Sequence, residues 1–287
     1  MRNLISTGLK RLVKQEARYA RGDRQATVIA VATVKGGVGK TTTAVNIACG
    51  LARFSKKRVL LIDLDAQGHC HASLNAVMPP NASTRSALTL TDVLLGEERR
   101  EVLDALVTAR MERLDLTPAD AGLAEAEGRI SQKIGKELLL RDALKFTRTH
   151  YDYIIIDCPP NKGNLTLNAL LAADKVLIPT DISPLSVRGA DELLETVITV
   201  NERLHHELDV LGIVLTRVDG RNVSINEEIL ETIREAWGDL IFETHIGINT
   251  QIAKAQLAGL PLFDYAPESR GAKHYEALTH EIEARCR

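Results

Sequence analysis

The chain reads as an α/β protein built on a mostly parallel, twisted sheet with helices on both faces. Three observations predict this. Short, nearly continuous apolar runs alternate with stretches of helical periodicity, as expected of strands buried on both faces and joined by helical crossovers. A glycine-rich run, Thr33-Val34-Lys35-Gly36-Gly37-Val38-Gly39-Lys40-Thr41-Thr42-Thr43, separates the first apolar run from the first helix. Two later apolar runs, Val59-Leu60-Leu61-Ile62 and Tyr153-Ile154-Ile155-Ile156, end in aspartates.

Taken in order, Thr27–Ala32 is the first predicted strand and Thr41–Phe54 the first helix, amphipathic and opened by the glycine run. Arg58–Leu64 is the next strand. Val77–Arg100 is the least regular stretch: Pro79-Pro80 and Asn81-Ala82-Ser83-Thr84 mark a loop before a short helix near Leu90–Leu95. Tyr153–Asp157, Lys175–Pro179, Val210–Thr216 and Leu240–Ile246 read as further strands. Between and after them, Asn164–Ala172, Ser186–Arg203, Ile225–Ala236 and Gly271–Ala284 read as helices. With 287 residues and 45% hydrophobic content, one domain of residues 26–287 buries a sizeable core.

Residues 1–25 form a basic amphipathic N-terminal extension. They carry seven Lys/Arg against two acids, while the whole chain is near balance at −2. Leu4, Ile5, Leu9, Leu12, Val13 and Ala17 repeat at helical spacing among Lys10, Arg11, Lys14, Arg18 and Arg21. A helix packed on its own domain, a partner-docking element, and a membrane or DNA contact all fit that pattern. The balanced charge gives no composition-wide signal for nucleic acid or membrane, so any such surface is local. Cys49, Cys70, Cys158 and Cys286 show neither zinc spacing nor a disulfide framework, which fits a reducing cytoplasm. No apolar run reaches membrane-spanning length, and residues 1–25 lack the apolar centre of a secretion signal, so a cytoplasmic location is expected.

The glycine run carries the chemistry. A phosphate chain needs backbone N–H groups at a helix N-terminus, an ammonium for its outer oxygens and a hydroxyl for Mg²⁺. A bare glycine cluster before a helix is often only a turn. Lys35, Lys40 and the threonines Thr41 to Thr43 set this one apart. The acids after the two apolar strands, in Asp63-Leu64-Asp65-Ala66-Gln67-Gly68-His69 and Asp157-Cys158-Pro159-Pro160, are expected to point into the same crevice as the loop, because both stand at the carboxyl ends of buried strands. One acid alone could be a helix cap. Two of them beside a phosphate loop point to metal-assisted hydrolysis.

The run K-G-G-V-G-K-T-T resembles the deviant Walker A motif of the ParA/MinD family of P-loop ATPases, in which the early lysine is a signature. The two acidic runs are similar to that family's D-x-D-P-Q-G-N and Walker B D-C-P-P motifs, with Ala66 in place of proline and His69 in place of asparagine. Leu114-Asp115-Leu116-Thr117-Pro118-Ala119, Asn168-Ala169-Leu170 and the stretch from Ile246 to Leu278 extend the resemblance from about Thr27 to the C-terminus, closest to short Soj-like partition proteins. The resemblance implies the P-loop NTPase fold, the deviant Walker A class, and ATP with Mg²⁺ as cofactors. It places the nucleotide on Lys35, Gly36, Gly37, Val38, Gly39, Lys40, Thr41 and Thr42, and the metal on Thr41, Asp65 and Asp157. It assigns catalysis to Lys35, Lys40, Asp65 and Asp157. Lys40 would neutralise the outer phosphates, Asp157 would orient a metal-bound water and Asp65 the attacking water, while Lys35 would reach the ATP of a dimer partner.

In that family an ATP-dependent homodimer is reset by a ParB-like or cargo-adaptor activating protein, and many members bind DNA non-specifically. Candidate DNA contacts here are Arg217, Arg221, Lys254, Arg270 and Lys273; Ile248 and Gln251 stand where many relatives carry arginines. Such binding would make the protein nucleoid-associated. The chain closes Glu281-Ile282-Glu283-Ala284-Arg285-Cys286-Arg287 without the basic apolar tail of a membrane-binding member, so membrane is not the expected surface. The loops after Thr216 and around Ile248-Asn249 are expected over the base. Partition or cargo positioning leads. A membrane- or pole-associated regulator tethered by residues 1–25, and a metabolic enzyme of the superfamily such as a reductase component or amide-forming synthetase, are the alternatives.

Overall fold

The structure, a computed structural model, describes residues 19, 21–79, 88–219, 231 and 233–287. Its seven strands are β1 (Thr27–Val31), β2 (Val59–Asp63), β3 (Val107–Thr108), β4 (Leu114–Leu116), β5 (Tyr153–Asp157), β6 (Lys175–Thr180) and β7 (Asp209–Leu215). They form one sheet in the order β3-β4-β2-β5-β1-β6-β7. All neighbours pair in parallel except the β3–β4 edge. Central β5 lies between β1 and β2, and the register sets Val31 and Asp63 each level with Asp157. The glycine run and both acidic runs therefore leave the sheet at the same height.

The strands' period-two alternation feeds two apolar layers. Val28, Ala30, Leu60, Ile62, Ile154 and Ile156 face one. Ile29, Val31, Val59, Leu61, Tyr153 and Ile155 face the other. Near-continuous apolar strands are what two covered faces require. The first layer is closed by helices α3 (Leu90–Leu95), α4 (Leu123–Ile130), α5 (Leu139–Ala143), α6 (Asn164–Ala172) and α7 (Pro184–Leu204). The second is closed by α1 (Lys40–Arg53), α2 (His69–Ser73), α8 (Thr250–Ala258), α9 (Leu262–Tyr265) and α10 (Arg270–Arg285). Helices α1 and α10 approach so closely that a Cβ on Gly50 would lie 2.2 Å from the Thr279 hydroxyl.

Strands β1, β2, β5, β6 and β7 fall within a residue or so of their expected bounds, and α6 and the short helix Leu90–Leu95 match theirs. Leu240–Ile246 does not form the expected strand. A 3₁₀ turn occupies Gly238–Leu240, and only an isolated bridge joins Ile241 to Ile213. The reason is where the backbone donors go: the N–H groups of Glu243 and Thr244 bond the Glu281 carboxylate at 2.9 Å each, rather than a strand. Of Ile225–Ala236, residues 225–230 and 232 lie outside the described residues, and residues 233–237 end in helix. The loop at 80–87 and Arg221 also lie outside them.

The end of the basic extension is anchored at the amino ends of the strands. Gly22 N–H donates to the Thr149 hydroxyl at 2.8 Å, and Arg24 and Ala26 N–H donate to the carbonyls of Thr149 and Arg148. The Tyr19 hydroxyl donates to Asp104, and its ring stacks on Phe146. Residues 1–18 and 20 lie outside the described residues.

Candidate active site

Between β1 and α1 the chain turns twice through the left-handed region, at Gly37 (φ 80°) and Gly39 (φ 87°), which L side chains rarely adopt. That turn delivers Lys40 as the first residue of α1. The loop is held from outside: the Thr216 hydroxyl donates to Val38 O at 2.7 Å, Arg217 donates to Gly37 O at 2.9 Å, and Gln256 donates to the Thr42 hydroxyl at 2.9 Å.

A cavity of about 670 Å³ opens there, lined by Gly36, Gly37, Gly39, Lys40, Thr41, Thr42 and Asp65, with His69, Pro160, Gln256 and Leu257 among its other walls. A second cavity of about 380 Å³ shares Gly37, Gly39, Thr42 and Gln256 with it and extends to Thr216, Arg217, Ile248 and Asn249. The two loops expected over a base thus meet beside the phosphate cradle.

Lys40 is 7% exposed, and its Nζ donates to the Lys35 carbonyl at 3.3 Å. Burial lowers its pKa, opposed chiefly by the negative charge of Asp157 and less by that of Asp65. Lys35 turns instead onto its own chain: Nζ donates to the hydroxyls of Ser183 (2.9 Å) and Ser186 (2.8 Å) and lies 3.6 Å from Asp181. Asp65, half-buried, faces the cavity, with Oδ1 accepting from Gln67 N–H at 3.0 Å.

Asp157 is fully buried and its Oδ1 has no hydrogen-bond partner among the described residues. Burial foremost, then the neighbouring Asp63, pushes its pKa up to about 7, against the lowering effects of the Thr41 hydroxyl, Cys70 and Lys40. Asp63 is 2% exposed; burial lifts it to about 6, while the N–H groups of Asp65 and Cys70 favour its charged form. An unpartnered carboxylate oxygen beside a threonine hydroxyl and an ammonium is a donor set that suits Mg²⁺ with phosphate oxygens.

Sequence reasoning put the metal on Thr41, Asp65 and Asp157; the structure brings Asp63 to Asp157 and leaves Asp65 on the cavity wall. The signal for Asp63 was its place at the last position of an apolar strand, level with Asp157. Cys70 carries no spacing signal in the sequence, since its neighbours in space, Asp63 and Asp157, come from other segments. Cys70 and Cys158 are both fully enclosed, which argues against a metal cluster bridging two reductase subunits.

The raised pair gives a pH prediction for the nucleotide-free protein. A carboxyl whose folded pKa exceeds its unfolded one holds its proton longer in the folded state. Its stabilising contribution is therefore greatest below the ordinary carboxylate range near 4 and is lost as pH rises through about 7. The Tm of the free protein is expected to fall between pH 5 and 7.5, and Asp157→Asn is expected to flatten that fall. A wild-type Tm that holds or rises across this interval, or a variant Tm that falls as steeply as the wild type's, would contradict the assignment.

Of the DNA candidates, Arg217 is engaged with the glycine loop. Lys254, Arg270 and Lys273 are exposed on α8 and α10, whose first turns approach so closely that a Cβ on Gly271 would lie 3.0 Å from Ile252. Lys273 is 3.2 Å from Glu268. Among the described residues, no helix is long and apolar enough to cross a membrane.

Comparison with known proteins follows the same lines. Residues 26–210 match the AAA_31 family model, described as an AAA domain. The chain is 38% identical to the chromosome partitioning protein ParA of Caulobacter vibrioides over 260 residues, 90% of this chain and 94% of the relative. It is 37% identical to the sporulation initiation inhibitor protein Soj of Bacillus subtilis over 257 residues, 90% of this chain and 98% of that one. Among solved structures it resembles the cobyrinic acid a,c-diamide synthase of Mycobacterium smegmatis with bound ATP analogue and magnesium, at 32% identity and TM-score 0.72, covering 89% and 93% of the two chains. A deviant glycine loop with two lysines, level aspartates on adjacent strands and near full-length likeness to ParA and Soj place this chain in the ParA/MinD family of P-loop ATPases.

Proposed function

We propose that the protein is an ATP-dependent, dimerising ATPase switch that positions DNA or another intracellular cargo. The observation that carries this reading is the single cavity that gathers Lys40, Thr41, Thr42, the loop glycines and Asp65 at the carboxyl ends of the strands. Lys40 meets the outer phosphates, the amides of Gly37 and Gly39 and the Thr42 hydroxyl hold phosphate oxygens, and Thr41 and Asp157 hold Mg²⁺. When bound, Mg²⁺ neutralises charge that builds up on the phosphates during transfer. Asp65 positions the attacking water from the wall.

Closure by a second copy is supported at the rim. Leu257, which lines the cavity, is 90% exposed, and Leu185, on the helix that holds Lys35, is 72% exposed. Covering such side chains favours association. Lys35 then leaves Ser183, Ser186 and Asp181 for the partner's nucleotide. A cation supplied in trans makes the nucleotide part of the contact, so hydrolysis loosens it. A ParB-like or cargo-adaptor protein that stimulates hydrolysis completes the cycle.

Lys254, Arg270 and Lys273 are exposed on the adjoining helices α8 and α10, and dimerisation doubles their number, which suits non-specific phosphate contacts and a nucleoid-associated location. The test is anisotropy of a labelled duplex of arbitrary sequence at about 0.1 M salt, where phosphate contacts dominate. Binding is expected with a non-hydrolysable ATP analogue, not with ADP, and is expected to weaken when Lys254, Arg270 and Lys273 are changed together to alanine. No binding in either state would remove DNA from the reading and turn the search to a protein scaffold.

A further inference from the structure

We propose that Asp63, Cys70 and Asp157 form a metal centre of their own, buried beside the nucleotide cavity, one that takes thiophilic divalent cations such as Zn²⁺. One thiol sulfur and two carboxylate oxygens lie there within 4.8 Å of one another, all three residues buried. A small cation with ligand bonds of roughly 2.0–2.3 Å holds its donors about 3.5 Å apart, close to the 3.4 Å already between Cys70 Sγ and Asp157 Oδ2. The Cys70 Sγ–H donates to Asp157 Oδ2 at 3.4 Å, so the thiol proton stands where a cation would be shared. The other oxygen, Oδ1, is buried without a hydrogen-bond partner among the described residues.

The ligands are held before any metal arrives. Asp63 accepts from Asp65 N–H at 3.1 Å and from Cys70 N–H at 3.0 Å. Gly68, at φ 64° and packed so that a Cβ would meet Ala119 at 2.6 Å, fixes the turn that carries Cys70 inward. The three ligands come from the end of β2, the start of α2 and the end of β5, which is why no spacing motif shows them.

Ligand softness separates this centre from the Mg²⁺ position. Mg²⁺ keeps an oxygen shell and has little use for a thiolate, whereas Zn²⁺ takes sulfur and carboxylate together. On binding, the thiol proton passes to solvent. Two carboxylates and one thiolate are then balanced by the dication and the ammonium of Lys40, whose charge already acts on Asp157. Asp157 belongs to both positions, so a cation seated here withdraws it from nucleotide chemistry.

The test needs neither nucleotide nor hydrolysis, so its outcome is independent of the function proposed above. Purified full-length protein without nucleotide is titrated with Co²⁺, a spectroscopic stand-in for Zn²⁺. Expected are a thiolate-to-cobalt charge-transfer band in the near ultraviolet that saturates at one equivalent, and its loss when one equivalent of Zn²⁺ is added but not with excess Mg²⁺. Cys70→Ser and Cys70→Ala, each checked for folding by circular dichroism, are expected to lose the band and to weaken Zn²⁺ binding by at least about tenfold. Cys158→Ala is expected to keep it. Absence of the band in the wild type, its survival in both Cys70 variants, or its displacement by Mg²⁺ would overturn the proposal.

Discussion

Lys40→Ala is expected to cost the protein its nucleotide. The ammonium stands at the first residue of α1, 7% exposed, inside the cavity, its Nζ donating to the Lys35 carbonyl at 3.3 Å. Burial disfavours its charge, so that charge is held in readiness for a stronger anionic partner than the aspartates around it. Removing two charge-assisted contacts at roughly 1.5–3 kcal/mol each weakens ATP binding by more than about 100-fold. Titration with a fluorescent ATP analogue measures this directly. Methionine at the same position restores the bulk without the charge, so Lys40→Met should fail as fully as alanine. Affinity preserved in both variants would remove the phosphate role from this lysine.

Asp65→Ala is expected to have the opposite signature: binding kept, turnover lost. Asp65 lines the cavity wall, and its Oδ1 accepts from the nearby Gln67 N–H rather than from the glycine loop, so the P-loop contacts do not depend on it. If it positions the attacking water, its loss lowers the hydrolysis rate by about 100-fold or more while ATP still bridges two chains. Light scattering coupled to size exclusion should show a dimer with ATP that persists for hours, where the wild-type dimer decays. A variant that stays monomeric with ATP, yet binds it, would mean that Asp65 shapes the loop between β2 and α2 rather than acting on water.

Much of this was legible in the sequence because it is local. The glycines, lysines and threonines of the loop state their chemistry by order alone, and apolar runs flanked by turn signals located β1, β2, β5, β6 and β7. What was hidden depends on partners distant in the chain. Nothing within Leu240–Ile246 shows that Glu281, some forty residues on, takes the N–H groups of Glu243 and Thr244 and breaks an otherwise good strand. The two-residue β3 is defined only by its antiparallel neighbour. Asp63 and Asp65 look equivalent as letters; the β2–β5 register buries one against Asp157 and leaves the other on the wall. Lys35 shows the same limit, because its Ser183, Ser186 and Asp181 contacts span about 150 residues.

The Tyr19 anchor has a geometric outcome for assembly. Tyr19, Gly22 and Arg24 fasten the chain's entry to the amino ends of the strands, whereas the cavity opens at the carboxyl ends. Two copies closed cavity to cavity, as proposed above, would therefore carry their entries on the sides facing away from the joint. Anything fused or bound ahead of Tyr19 is displayed twice per pair, and a surface with many copies of its target is gripped with avidity rather than single-site affinity. Separation of the pair halves that valence in one event, so residence time on such a surface would fall far more steeply than the strength of either individual attachment.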